Sequence, residues 1–462
     1  MSSPLSSEVT ADLRAIVGER WVITDPVRLL AYESDALTSY RRAPGAVVFP
    51  VDTDEVSQVM VRLAQAGVPV VPRGAGTGLS GGAIAGPGAV IVATPRMNRI
   101  VHLDRESRLA LLQPGVINAD LTEAARPHGL FYAPDPSSQS ACTIGGNVAE
   151  NSGGPHCLKY GVTSRYVTGL TVVRYDGEVL RLGGLGRDAV GYDLMGVFVG
   201  SEGCFGIATE IEVQLLPIPP ATRTLLAMFD RLEDAGEAVS AIVARGLLPA
   251  ALEIIDRETI QAVEASIFAA GYPVDVEAAL VIEFDGIEAG LDSEAEEAEG
   301  CCWERGARDV RRARSEKERL GLWQGRKNAF GAFGRVAPDL FVQDATVPRT
   351  RLPEVLRSIR EIGHRYGLRV ANVFHAGDGN LHPNILFDRS DEEELARVEQ
   401  ASREIMAVCV EAGGTITGEH GVGLDKRAYM RLVHSPDVLE VMRATKKAFD
   451  PWGGMNPGKV LP

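Results

Sequence analysis

The chain is short of several patterns that would assign it to a function class. Its six cysteines, Cys142, Cys157, Cys204, Cys301, Cys302 and Cys409, include no Cys-x-x-Cys spacing, which argues against an iron–sulfur cluster carried by this chain. The vicinal pair Cys301-Cys302 reads as chance rather than redox chemistry. No run of eighteen apolar residues occurs, so no helix is expected to span a bilayer. The first twenty residues are polar and lack the apolar stretch of a secretory signal. The expected location is therefore a reducing cytoplasm, with peripheral attachment to the inner face of the membrane left open. Positive charge is also in deficit: 47 Lys and Arg stand against 62 Asp and Glu, a net −15. Nucleic acid needs a basic footprint and is not an expected partner. A small anionic substrate responds to local charge and stays admissible.

At 462 residues the chain is too long for one ordinary core, and two or three domains are expected. A hydrophobic content of 45% with 24% charged residues is that of a globular protein. Glycine is abundant, and it clusters around residues 74–88, 145–161 and 183–206 rather than forming a repeat. Asp52 can cap a helix in which Val56, Val59, Met60 and Leu63 recur at helical spacing. A short strand at 68–71 follows and opens into the first glycine cluster.

Gly76-Thr77-Gly78-Leu79-Ser80-Gly81 satisfies G-x-G-x-x-G, but a dinucleotide-binding unit also needs a helix at the third glycine. Here Ala83-Ile84-Ala85-Gly86-Pro87-Gly88 cannot hold a helix and leads into a strand at 89–93. Successive backbone N–H groups in such a turn can still cradle pyrophosphate without a helix dipole. Pro217-Ile218-Pro219-Pro220 is the best domain boundary. Beyond it, strands at 225–229, 250–255, 280–284, 341–347 and 369–374 alternate with helices, the pattern of helices on an antiparallel sheet. The acidic run 294–299 and the basic run 305–327 read as solvated helix faces.

Histidine is scarce, yet three of the eight fall in two short glycine-flanked segments, His375-Ala-Gly-Asp-Gly-Asn-Leu-His382 and Gly418-Glu419-His420-Gly421. Two His and a Glu are a common ligand set for a catalytic divalent metal, one that leaves a position open for substrate. A neighbouring His420 is then available to move protons. Asp378 reads as a loop-shaping residue, outside the ligand set.

The three glycine-rich segments, in this order and with these flanks, resemble the FAD-binding domain of the vanillyl-alcohol-oxidase (PCMH-type) flavoproteins. Leu322-Trp323-x-x-Arg326-Lys327 and the two histidine motifs are similar to the D-2-hydroxyacid dehydrogenase branch. That branch includes D-lactate dehydrogenases, D-2-hydroxyglutarate dehydrogenase and the flavin subunit of glycolate oxidase. The resemblance covers nearly the whole chain from about Tyr32. It implies an α+β fold with a two-subdomain PCMH-type FAD-binding domain, an α+β cap of antiparallel sheet and helices, and a helical C-terminal segment. The implied division is a lead-in at 1–40, the FAD domain at 41–219, the substrate domain at 220–412 and the closing segment at 413–462.

The resemblance further implies FAD as cofactor, held by Pro72, Arg73, Gly74, Ala75, Gly76, Thr77, Gly78 and Leu79 in the first segment. Ile144, Gly145, Gly146, Asn147, Asn151, Gly153 and Gly154 would contribute from the second, and Gly203, Ile207 and Asn456 from later in the chain. Residues 72–83 contain no His or Cys that could link the flavin, so it is expected to be non-covalent. His375, His382 and Glu419 would hold a divalent metal, expected to be zinc, with His420 as the base. Arg326 would clamp the substrate carboxylate and Asn384 would touch the substrate.

The implied reaction is oxidation of a short D-2-hydroxy acid, D-lactate or glycolate, to the 2-oxo acid, with hydride passing to flavin N5. A quinone, a cytochrome or a partner iron–sulfur subunit would then take the electrons, and an oligomer stays open. A D-2-hydroxyglutarate-type activity is the alternative, weakened because Phe341-Val342-Gln343-Asp344 has no Lys for a longer substrate. A flavin subunit active only within a multisubunit glycolate oxidase is a second alternative. A nicotinamide dehydrogenase is disfavoured by the missing helix after Gly81, and a metallohydrolase would leave the glycine-rich loops unexplained.

Overall fold

The computed structural model describes residues 5–184 and 190–462. Residues 185–189, part of the third glycine cluster, lie outside the described residues. The protein is α+β, and its contacts divide it into two units. The first comprises Met1–Gly153, Val162–Ile218 and Glu419–Pro462, the second Gly154–Gly161 and Pro219–Gly418.

In the first unit, a four-stranded sheet runs in the order Val22–Ile23, Ala46–Val48, Val90–Ala93, Val70–Arg73, its last three strands parallel. Asp52 caps the helix Thr53–Gln65 by accepting from the Glu55 amide at 2.9 Å. Val56, Val59, Met60 and Leu63 of that helix are fully buried against Val48, Val70, Val90 and Val92 of the sheet and Leu13 and Val17 of the helix Ser7–Val17. Each such side chain contributes about 1.5–3 kcal/mol by leaving water. The C-terminal segment completes this layer: Val70 donates to the Gly454 carbonyl at 2.9 Å and accepts from the Asn456 amide at 2.7 Å. A second, antiparallel sheet orders Ile100–Asp104, Leu109–Leu112, Ile207–Gln214, Val167–Val173 and Val179–Gly183.

The second unit is built on a nine-stranded antiparallel sheet. Its path runs Ala307–Arg312, Ala221–Phe229, Ala278–Gly286, Ala251–Asp256, Arg369–His375, and on to the short strands Asn380–Leu381 and Ala345–Thr346. Pro383–Phe387 pairs with both Arg369–His375 and Asp339–Val342. Alternation puts Leu226, Met228, Ala251, Ile255, Ala279, Val281, Ala371 and Val373 on one face, where Ile260, Val263, Trp323 and Phe333 cover them. On the same face, the alternation and register continue these apolar columns into Thr224, Glu283, Glu253 and His375.

Two expectations change here. The basic run 305–327 is not one helix face: Ala307–Arg312 is an edge strand, and a helix begins only at Glu316. Arginines suit an exposed edge, and Arg312 pairs there with Glu299 at 2.7 Å. The strand expected at 341–347 is broken at Gln343-Asp344, where Asp344 turns its carboxylate to Thr417 Oγ1 and the Gly418 amide.

Candidate functional site

In the second unit, cross-strand register places Glu253 directly opposite His375. Glu253 is fully buried, and its Oε1 lies 2.8 Å from His375 Nδ1 while its Oε2 accepts from Arg326 Nε at 2.5 Å. Burial alone would raise the carboxyl, but the His375 and Arg326 charges and hydrogen bonds outweigh it and hold Glu253 below its ordinary value. A carboxylate only accepts, so His375 Nδ1 carries a proton, and in the neutral imidazole Nε2 keeps the lone pair. Arg326 Nη2, 3.4 Å from the same Nδ1, is then a donor beside a donor, a contact and not a bond.

His382 follows the hairpin that begins at His375, and the two rings stand perpendicular with centroids 5.2 Å apart. Its Nδ1 lies 3.3 Å from the Gln343 carbonyl, which fixes the same tautomer. Both imidazoles are thus held at Nδ1, the arrangement in which metal-binding histidines are usually oriented. Asp378 accepts from the Asn380 amide at 3.1 Å and shapes the hairpin turn.

Asn384, fully buried, donates Nδ2 to the carbonyls of Ala371 at 3.1 Å and His382 at 2.6 Å. Those two carbonyls decide which end of the amide is nitrogen. Its Oδ1 is left buried without a hydrogen-bond partner, a cost of about 1–3 kcal/mol unless a ligand donates to it.

The helix Glu316–Lys327 brings Arg319, Trp323 and Arg326 to the row of sheet carboxylates, since residues four and three apart share a helix face. Glu283 Oε2 accepts from Trp323 Nε1 and Thr224 Oγ1 at 2.6 Å each and from Arg319 Nη1 at 3.2 Å. His156 Nε2 lies 3.4 Å from Glu283 Oε1 and its ring is 5.4 Å from that of Trp323. Burial would push Glu283 up, yet the His156, Thr224 and Trp323 groups around it bring it down to about 2.

In the first unit, the three glycine-rich segments converge. A Cβ at Gly74 would strike Thr143 Oγ1, and one at Gly203 would come within 3.0 Å of Pro72. Gly200 and Glu202 donate to the carbonyls of Val148 and Ala149. Gly76 has φ +73°, and the guanidinium of Arg73 fills the place its side chain would take, so Arg73 shapes the loop from inside. A Cβ at Gly78 would meet no described atom within 4 Å, and Asn147, 1% exposed, leaves Nδ2 without a partner. An open face on a glycine turn and an orphaned buried donor fit an anionic cofactor. Gly154, expected with this group, belongs to the second unit.

Asn456 uses its amide within the chain, donating to Gly82 and Glu202 carbonyls at 3.0 and 2.8 Å and accepting from Lys459 at 3.1 Å. Glu202 accepts from the amides of Val422 and Gly423 at 2.7 and 2.6 Å and so shapes the turn that follows His420. Glu419 and His420 sit side by side, Oε1 and Nε2 3.9 Å apart.

Two family models cover most of the chain: an FAD binding domain matches residues 44–183, and an FAD linked oxidases C-terminal domain matches residues 218–460. The chain belongs to the FAD-linked oxidase family. It is 48% identical to glycolate oxidase subunit GlcD of Escherichia coli K12 over 94% of its own length and 87% of the relative's. With a D-lactate dehydrogenase of Anaerostipes hadrus it shares 33% identity over 99% and 98% of the two chains. Among solved structures, p-cresol methylhydroxylase superposes with a TM-score of 0.84 at 17% identity, covering 100% of this chain and 98% of that one, a likeness of fold.

This FAD-linked oxidase is an FAD-dependent oxidoreductase with the PCMH-type fold. Sequence reasoning missed Glu253, Glu283 and Asp344 in the oxidase, because each becomes significant only through partners distant in sequence; Glu253 and His375 are 122 residues apart. No helix among the described residues is long and apolar enough to cross a membrane.

Proposed function

We propose that this oxidase converts a short D-2-hydroxy acid, D-lactate or glycolate, to the 2-oxo acid. The observation that carries the reading is the buried group in the second unit: two histidines held at Nδ1, an arginine, and the unsatisfied Oδ1 of Asn384. The names of the relatives supply the substrate class. FAD, held by the converging glycine segments, supplies a hydride acceptor. His375, His382 and Glu419, the last one peptide bond beyond the anchored Gly418, would be the ligands of a divalent cation, and their nitrogen and oxygen donors suit zinc. Such a cation would supply Lewis acidity that makes the substrate hydroxyl easier to deprotonate.

The residues then divide the work. Arg326 has its Nε engaged by Glu253, so its terminal Nη1 and Nη2 pair is the end that receives the substrate carboxylate. Asn384 Oδ1 accepts from the substrate. His420 takes the hydroxyl proton, which frees the Cα hydrogen to leave as hydride. Gln343, whose amide donates to Ser402 at 2.7 Å, brings no cation for a second carboxylate, which favours a short acid over 2-hydroxyglutarate. The word subunit in the name of the E. coli relative supports a partner chain as the electron acceptor. The test is a dye-linked screen of D- and L-2-hydroxy acids on purified protein, with metal content measured on the same sample. Turnover of D-lactate or glycolate with bound metal is the expected result; no turnover of any 2-hydroxy acid by FAD-loaded protein would end this reading.

A further inference from the structure

We propose that Glu253 is a positioning residue that sets both the tautomer of His375 and the direction of Arg326, joining the metal ligand and the carboxylate clamp through one side chain. The proposal rests on the metal-and-clamp reading above and adds a residue that reading does not use. Glu253 stands on the central strand Ala251–Asp256 with no exposure, and its two oxygens serve two different elements. Oε1 meets the imidazole at the end of the neighbouring strand, and Oε2 meets the guanidinium on the covering helix. A group that only accepts leaves His375 no choice but to donate from Nδ1, so Nε2 is the nitrogen offered to a cation. By holding Nε, the other oxygen turns the two-pronged end of Arg326 toward an incoming carboxylate.

The arrangement needs a carboxylate and not merely a polar residue of the same shape. Glutamine presents one oxygen and one NH2. If the NH2 faces His375, the imidazole must accept at Nδ1, the proton moves to Nε2, and the ligand lone pair is lost. If the NH2 faces Arg326, two donors oppose each other at the 2.5 Å now spanned by a hydrogen bond. The charged guanidinium therefore claims the glutamine oxygen, which leaves the NH2 to His375 and moves its proton to Nε2, whereas a residue needed only to neutralise Arg326 would leave the His375 tautomer alone.

The experiment is imidazole nitrogen NMR on FAD-loaded protein labelled at histidine, stripped of metal by chelator, with His375 assigned by its loss in His375→Gln. Wild-type His375 should be protonated at Nδ1, and Glu253→Gln should shift it toward the Nε2–H form. Zinc affinity, read by chelator competition, should fall about 10- to 100-fold in the variant. Should Glu253→Gln fail to fold, because Arg326 is left buried without a counter-charge, Glu253→Leu with Arg326→Met removes both charges and leaves His375 Nδ1 no carboxylate acceptor, so the Nδ1–H preference should still be lost. A wild-type His375 protonated at Nε2, or a tautomer and zinc affinity both unmoved by the substitution, overturns the proposal. Wild-type protein that binds no divalent metal while His375 shows the expected tautomer and responds to Glu253→Gln ends the metal reading but upholds the positioning role.

Discussion

His420 and His375 look alike in the sequence, each within two residues of a glycine, yet their proposed tasks separate on substitution. Anaerobic flavin reduction should slow by about two to four powers of ten in His420→Asn, with metal and FAD retained. His375→Ala should lose metal as well as turnover. Loss of metal from the first with retention in the second would reverse the assignments, and stopped-flow kinetics beside elemental analysis of both variants decides it.

Glu283 gives a prediction of a different kind. Its carboxyl is held at about 2, below the ordinary value of 4.5. A depressed carboxyl stabilises the fold fully above its unfolded pKa and loses that contribution as pH falls toward the folded value. Thermal melts should therefore show wild type more stable than Glu283→Gln at pH 7, with the gap closing between about pH 4.5 and pH 2. A gap that stays constant across that window would mean the ion contacts of Glu283 do not carry its stabilising effect.

At this scale the sequence made His375, His382, Arg326 and Asn384 visible through their motifs, and the structure gathers these four into one unit. Glu253 was not visible, because a single Glu between Leu252 and Ile254 looks like the solvated residue of an alternating strand. Only the register that sets it against His375 reveals what it does.

The hairpin that carries both histidines depends on a glycine. Gly379 has φ +79°, and a Cβ there would drive into the Val347 carbonyl. Gly379→Ala should cost on the order of 1–3 kcal/mol from the backbone conformation alone, with more from the collision, and should lower zinc affinity by displacing His382. Denaturant unfolding checks the first part and chelator competition the second; a variant with wild-type midpoint and affinity would show that the turn tolerates a side chain.

Elements with strong periodicity were legible. Val56, Val59, Met60 and Leu63 lie buried along the helix Thr53–Gln65, as their spacing requires. The edge strand Ala307–Arg312 was not, because its charges satisfy a helix face as well as a sheet edge. The break at Gln343-Asp344 was also hidden, since the groups that Asp344 binds lie more than seventy residues later in the chain.

Across the whole molecule, neither unit is one continuous stretch: the chain passes between them after Gly153, Gly161, Ile218 and Gly418. A chain ended at Gly418 would lack the segment that bonds to Val70 and Gly82, and it should neither retain FAD nor melt cooperatively. The intact protein should release FAD unaltered into the supernatant on acid or denaturant treatment, because residues 72–83 contain no His or Cys. Flavin that stays with the denatured chain would refute the non-covalent expectation.

The clasp of Asn456 on Gly82 spans 374 residues, and it has a consequence in time. At about 5–20 residues per second, a ribosome that has made Gly82 reaches Asn456 roughly 20 to 75 s later. For all of that interval the edge of Val70–Arg73 lacks the neighbour that will cover it, on a nascent chain crowded by other emerging polypeptides. Yield in cells should therefore respond to chaperone supply and growth temperature more steeply than the stability of the finished enzyme would suggest.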